Sequence, residues 1–216
     1  MSGHPLPERQ ATALAAGELV LQAQQGRQGA FSELMRRYRP RIYALALHLI
    51  GDEHDADDVA QETFLRAYRS LDGFRGAAEF YTWVYRIAVN LALNVKRRNG
   101  RNQTEPMTDP RVALAVQVDS YGDPRRAAEL RQSYTRLVAA LDDLPEHLRS
   151  TVVLVALQGL THDEAAAVLG CQTGTIGWRI HQAREQLIAA LEPPARTSAR
   201  EGRSARLSLL IPALSP

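Results

Sequence analysis

Residues 161–184 read THDEAAAVLGCQTGTIGWRIHQAR, and the rest of the chain is best read outward from them. Thr161 stands before a run of helix formers, with Glu164 three positions on. In that pairing a hydroxyl caps the first open backbone N–H groups while the carboxylate reaches back. Ala166, Gly170 and Ile176 follow at A-x3-G-x5-[IV] spacing. A small residue lets a second helix approach the first, a glycine turns the chain between them, and a β-branched residue anchors the second helix, which predicts a helix-turn-helix. Ile176, Ile180, Ala183 and Leu187 make the inward stripe of that second helix. Its other face carries Thr175, Arg179, Gln182 and Gln186, flanked by Thr173, Trp178 and His181. Hydroxyls and amides meet base edges and a guanidinium takes a phosphate or a guanine, so this face predicts DNA. A plain helical hairpin shares the periodicity; the cap, the glycine turn and the polar face together favour DNA binding over it. Cys171, in the turn, reads as a buried, quiet thiol ahead of a redox switch.

Helical patterning extends on both sides. Leu130, Tyr134, Leu137, Val138 and Leu141 keep helical period up to a break at Leu144-Pro145-Glu146, where proline suits a first helical position. A short helix over about 148–157, one over 161–169 and a last over about 172–191 follow, the last stopped by Pro193-Pro194. Towards the N-terminus, Phe31, Leu34, Met35, Tyr38, Ile42, Leu45 and Leu49 recur at i, i+3, i+4, i+7 and end at Gly51, a suitable C-cap. A second helix over about 55–71 buries Val59, Thr63, Phe64, Ala67 and Leu71, with its acids at the positive end of the helix dipole. After a glycine-bearing loop at 72–76, a third helix over about 80–98 buries Val84, Ile87, Ala88, Leu91 and Val95. Residues 99–126 lose all period and contain Gly100, Pro106, Pro110, Gly122 and Pro124. The expectation is an all-α chain: a tail over 1–17, helical domains over 18–98 and 127–192 joined by a flexible linker over 99–126, and an extension over 193–216.

Composition agrees with helix and excludes several functions. The 216 residues are 45% hydrophobic and only 6% aromatic, with β-branched runs scarce. A single cysteine excludes an internal disulfide framework and a Cys-rich zinc site. No apolar run approaches the ~20 residues of a membrane span, and the first twenty residues carry no apolar block, so a soluble protein of the reducing cytoplasm is expected. His4, His48, His54, His147, His162 and His181 form no H-E-x-x-H, and neither a P-loop nor a nucleophile elbow is present. No catalytic residue, metal or cofactor is therefore expected.

The net charge of +2 hides a segregation. Between Ile42 and Leu65 there is no Lys or Arg, yet Asp52, Glu53, Asp55, Asp57, Asp58 and Glu62 fall there. Between Tyr81 and Thr104 there is no acid, while Arg86, Lys96, Arg97, Arg98 and Arg101 appear. Ordinary solvated helix faces explain one such patch; two of opposite sign predict two different partners. Asp58, Gln61, Glu62 and Leu65 share a face opposite the core stripe of the second helix, which suits a basic helical partner. Arg86, Asn90, Asn94 and Arg97 share a face of the third helix, with Trp83 and Tyr85 near its start. Rings stack, guanidinium neutralises and amides read edges, so this face predicts unpaired nucleotides. Trp83 fits equally well as core.

Residues 55–68, DADDVAQETFLRAY, resemble the core-polymerase-binding helix of bacterial sigma factors. Phe74-Arg75-Gly76 with residues 82–90, TWVYRIAVN, resembles their promoter-melting segment. Leu144-Pro145-Glu146, the helix-turn-helix and residues 174–184, GTIGWRIHQAR, resemble their minus-35-reading domain. Two such domains joined directly resemble the extracytoplasmic-function layout, over about 18–98 and 127–192. The resemblance implies that Asp55, Asp58, Gln61, Glu62 and Leu65 dock on the clamp helices of the largest polymerase subunit. It implies that Phe74, Arg75, Trp83, Tyr85, Arg86, Asn90, Asn94 and Arg97 meet the minus-10 strand, the 74–80 loop helping to hold an extruded base. Thr173, Thr175, Trp178, Arg179, Gln182 and Arg184 would face the minus-35 element. The implied partners are core RNA polymerase (clamp helices and flap), promoter DNA and an anti-sigma factor, with no small-molecule substrate. The implied location is the cytoplasm, at the nucleoid or held at the membrane by the anti-sigma factor. Gly177-Trp178 stands where the family usually has Lys-Ser, and Gln182 replaces a common Arg, which weakens the phosphate grip of this helix. The alternative reading is a polymerase-independent helix-turn-helix regulator whose first domain senses or dimerises. The extension over 193–216 is read either as an inhibitory or partner-binding segment or as a basic tail.

Overall fold

The computed structural model describes residues 7–76, 78–99, 109–113 and 124–191, and among them all regular structure is helical. Residues 1–6 of the expected tail, most of the linker and the extension over 193–216 lie outside the described residues. The helices are α1 (Pro7–Gln24), α2 (Gln28–Ile50), α3 (Glu53–Arg69), α4 (Phe80–Asn99), α5 (Pro124–Asp143), α6 (Glu146–Val152), α7 (His162–Leu169) and α8 (Thr173–Leu191). A 3-10 turn, Leu71–Gly73, follows α3, and a π-helical turn, Val153–Leu157, continues α6.

Helices α1 to α4 pack as a first unit because each offers one apolar stripe. Leu34, Ile42, Leu45 and Leu49 of α2, Val59 and Phe64 of α3, and Val84 and Val89 of α4 are buried together. Met35, placed on the inward stripe by its spacing, lies at the edge and is exposed. Ile87 and Val95 likewise sit half-buried at the rim of α4. Helix α1 reaches back to Pro7, so residues 7–17, expected as tail, are helical. Its sequence carries no sustained amphipathic period, but Ala16 and Val20 join the core.

Helix ends follow local chemistry. The Asp52 side chain accepts the Asp55 amide at 2.9 Å, capping α3. Gly51 closes α2 at φ +88°, donating its N–H to the Leu47 carbonyl at 2.8 Å. A Cβ on Gly51 would stand 3.0 Å from the Arg111 guanidinium. Gly51→Ala therefore combines left-handed strain with a displaced buried cation. It is expected to lower stability by about 1–3 kcal/mol, read as a lower urea midpoint at unchanged m-value.

Helices α5, α6 and α8 form the second unit around Leu137, Leu141, Leu144, Leu148, Val152, Ala183 and Leu187. Pro145 sits at the cap of α6, one position before the first helical residue where the sequence pattern puts it. The capping box of α7 is complete: Thr161 Oγ1 accepts the Glu164 amide at 3.2 Å, and Glu164 accepts the Thr161 amide at 2.7 Å. Gly170, at φ +65°, makes the turn into α8.

The π turn joins the two units. Gln158 donates its amide to the Val153 carbonyl at 2.9 Å, an i→i+5 bond that widens the helix by a residue. Val152 then faces the second core while Val153, Leu154 and Val155 face the first. Leu160, Ala165, Ala166, Val168 and Ile176 enter the same cluster as the α2 and α4 residues. The helix-turn-helix is thus seated on the first unit. The linker is tethered too, since residues 109–113 form a turn in which Asp109, Arg111 and Val112 are buried.

Candidate partner and nucleic-acid interfaces

The first surface is the outer face of α3. Asp58 and Gln61 are exposed, Glu62 is half-exposed, and Leu65 keeps 45% of its surface open beside exposed Tyr68. Phe31 fixes the inner side of this helix with edge contacts to Phe64 and Tyr68, ring centres 6.5 and 5.0 Å apart. Glu62 accepts from Arg66 at 2.7 Å and Asp57 from Arg39 at 2.5 Å, both solvent-facing pairs that leave the face acidic overall. Asp55 departs from the sequence reading. It is half-buried and accepts the Asn99 side-chain amide at 2.6 Å, which ties α3 to the end of α4. The spacing that puts Asp55 one turn ahead of Asp58 also turns it towards that end.

The second surface is built on α4 and the loop before it. Gln24 of α1 donates its side-chain amide to the Leu71 and Phe74 carbonyls, each at 2.9 Å, and so pins the loop. Phe74 packs on Trp83, ring centres 4.9 Å apart, and both touch Phe80. Trp83 is half-buried, part core and part surface, so both of its sequence readings apply. Arg75, Arg86, Asn90, Asn94 and Arg97 are exposed, the last four along one stripe of α4. Tyr85 is buried instead, only 2% exposed, in the core shared with the segment after the π turn; its hydroxyl donates to Gln158 Oε1 at 3.2 Å. Arg97 forks onto Glu146 at 2.5 and 3.0 Å. Tyr81, which no sequence pattern singles out, donates its hydroxyl to the Glu164 carboxylate. Arg86 lies over Gly170, where a Cβ would stand 3.2 Å from its guanidinium.

The third surface is the outer face of α8. Ile176, Ala183 and Leu187 are fully buried, which turns the opposite face outward. Trp178 is the most open large side chain there, at 56% exposure; Thr175, Arg179, Gln182 and Arg184 are half-buried. Thr173 is exposed and donates its hydroxyl to Asp163 at 2.6 Å, joining the starts of α7 and α8. Gly177 has open space where a Cβ would be, so packing does not require a glycine there. Cys171 is half-buried against the shared core. Among the described residues no group of three metal-ligating side chains occurs, and no helix is long and apolar enough to cross a membrane.

The segments that carry these surfaces fall within known modules. A family model described as Sigma-70 region 2 matches residues 34–102, and one described as Sigma-70, region 4 matches residues 134–187. The RNA polymerase sigma-H factor of Pseudomonas aeruginosa is 36% identical over 183 residues, covering 83% of this chain and 95% of its own. The ECF RNA polymerase sigma-E factor of Escherichia coli K12 is 38% identical over 187 residues, covering 82% and 95%. Among solved structures, CnrH in complex with the cytosolic domain of CnrY aligns with a TM-score of 0.61 at 29% identity, covering 82% of this chain and 97% of that one. Two family modules in order, and relatives matched over nearly their whole length, lead to one assignment: the chain belongs to the sigma-70 family of RNA polymerase sigma factors, in its extracytoplasmic-function (ECF) group.

Proposed function

We propose that this sigma factor docks on core RNA polymerase through α3, reads the minus-35 element with α8 and opens the minus-10 element with α4 and the loop before it. The observation that carries the assignment is the division of surfaces: Asp58, Gln61, Glu62 and Leu65 open on α3, and Arg86, Asn90 and Asn94 open on α4. An acid-and-leucine face recognises a basic helical partner, and a cation-and-amide stripe beside rings recognises unpaired bases. Asp55 positions α3 against α4 and supports docking indirectly. On α8, Thr173, Thr175 and Gln182 supply hydrogen-bonding groups, Arg179 and Arg184 supply cations, and Trp178 offers an open ring to the DNA. The protein carries no catalysis of its own in this scheme. It acts in the cytoplasm, and an anti-sigma partner belongs to the proposal through the likeness to CnrH, solved with the cytosolic domain of CnrY.

The test is reconstitution. Purified chain with core polymerase is expected to yield a run-off transcript from a defined start on a promoter to which core alone gives none. A free chain that binds a palindromic duplex tightly as a dimer, yet directs no transcript with core, would instead establish the polymerase-independent regulator.

A further inference from the structure

The outermost stripe of α8 is not the one its sequence pattern singles out. Ile176, Ala183 and Leu187 are buried. At about 100° per residue the positions opposite them are Gly174, Trp178, His181 and Glu185, and all four are exposed. Thr175, Arg179 and Gln182 lie on the shoulder of the helix, half-buried, and the Thr173 hydroxyl is already engaged with Asp163. The large side chain held farthest out is therefore an indole, and it stands among glycines. A Cβ on Gly174, one turn before it, or on Gly177 beside it would meet nothing within 4 Å.

Folding gives no reason for this arrangement. Both glycines lie in helical backbone with open space beside them, where each lowers helix stability, and an exposed indole adds nothing to a core. Together they leave a bare strip of backbone next to one flat apolar ring. The charges around the strip fit a polyanion. Arg179 and Arg184 stand on its two sides, the positive end of the helix dipole is at Thr173, and the acid of α8, Glu185, comes about three turns after Gly174. The first two turns therefore suit DNA and the third does not. The major groove admits a helix, and its floor offers one apolar group, the C5 methyl of thymine. An indole, which only donates, cannot form the bidentate pairs that select guanine or adenine.

We propose that Trp178 is a specificity-determining residue of α8 and that it reads a thymine methyl in the minus-35 element, Gly174 and Gly177 letting the helix backbone sink far enough into the groove for the ring to reach it. This rests on the reading of α8 given under the proposed function and adds to it the base and the contact. Covering one methyl with the ring corresponds to about a fourfold preference for thymine over the same base without its methyl.

Holoenzyme assembled from the full chain and core polymerase first selects its upstream element from a randomised duplex library. Each thymine of that element is then exchanged in turn for deoxyuridine, which removes the C5 methyl alone. At one position the exchange is expected to weaken wild-type binding about fourfold in competition gel shifts. Holoenzyme carrying Trp178→Ala is expected to bind the thymine duplex more weakly by at least that factor and to be indifferent to the exchange. Trp178 is exposed, so its truncation opens no cavity and circular dichroism should not change. Should Trp178→Ala nevertheless fail to fold, Gly174→Leu decides: it fills the bare strip, is expected to erase the same preference, and overturns the inference if the preference survives. An element at which every exchange is neutral, or a methyl preference that survives in folded Trp178→Ala, overturns the inference and leaves the reading of α8 standing. A Trp178→Ala loss of the same size on every duplex puts the ring on the phosphate backbone and overturns it too. If wild-type holoenzyme enriches no upstream element, the reading of α8 itself falls, so the two failures are distinguishable.

Discussion

Asp58→Arg is expected to abolish sigma-dependent transcription and core-polymerase binding together, while leaving helix content and unfolding midpoint as they are. Asp58 is exposed on the outer face of α3, one turn before Glu62 and two before Leu65, so no packing depends on it. Placing a cation there removes an attraction and adds a repulsion against a basic partner. Losing one member of a desolvated charge pair costs about 2–5 kcal/mol, or roughly 30- to several-thousand-fold in affinity. Titration of labelled chain with core enzyme measures this directly. Unchanged affinity would falsify docking through α3 and leave the rest of the scheme to be rebuilt around another face.

Arg86→Ala and Asn90→Ala are each expected to slow promoter opening by roughly 5- to 150-fold, with core affinity intact. Both side chains are exposed one turn apart on α4, so truncation removes the proposed strand contacts without opening a cavity; Arg86 also lies over Gly170, which makes Asn90→Ala the cleaner probe. A good base contact or a stacked base contributes about 1–3 kcal/mol, which sets that range. Permanganate reactivity of unpaired thymines reports opening, and a template with a pre-opened minus-10 segment should recover part of the loss. Wild-type reactivity in both variants would move strand capture off this stripe. Trp83→Ala is a poorer probe, because its ring also supports Phe74 and Phe80. Arg97 is poorer still, since its loss also breaks the pair with Glu146.

The elements themselves were legible in the sequence wherever period and punctuation agree. The stripe from Phe31 to Leu49 ending at Gly51, and the Thr161–Glu164 cap with its Gly170 turn, appear as their chemistry requires. Helix α1 was not legible over 7–17, because its alanine-rich stretch shows no one-sided stripe. The acid face of α3 could be read because a helix fixes which side chains share a side, although Asp55 turned inward to a partner 44 positions away. Tyr85 was misjudged for a related reason. Periodicity says which way a side chain points on its own helix but not what a distant segment lays over it, here Gln158. Arg111 escaped notice altogether, being one arginine in an aperiodic stretch whose partners Asp142 and Gly51 come from both units.

Arg97 of α4 already faces the second unit through Glu146, so under the proposed function its side chain answers to two selective demands at once. On that proposal, a substitution of Arg97 that changes minus-10 preference also removes its contact with Glu146. Lineages that diversify their regulons by changing residues such as Arg97 should therefore carry matching changes at Glu146. Promoter preference and the packing of one helix end against the next would then evolve together.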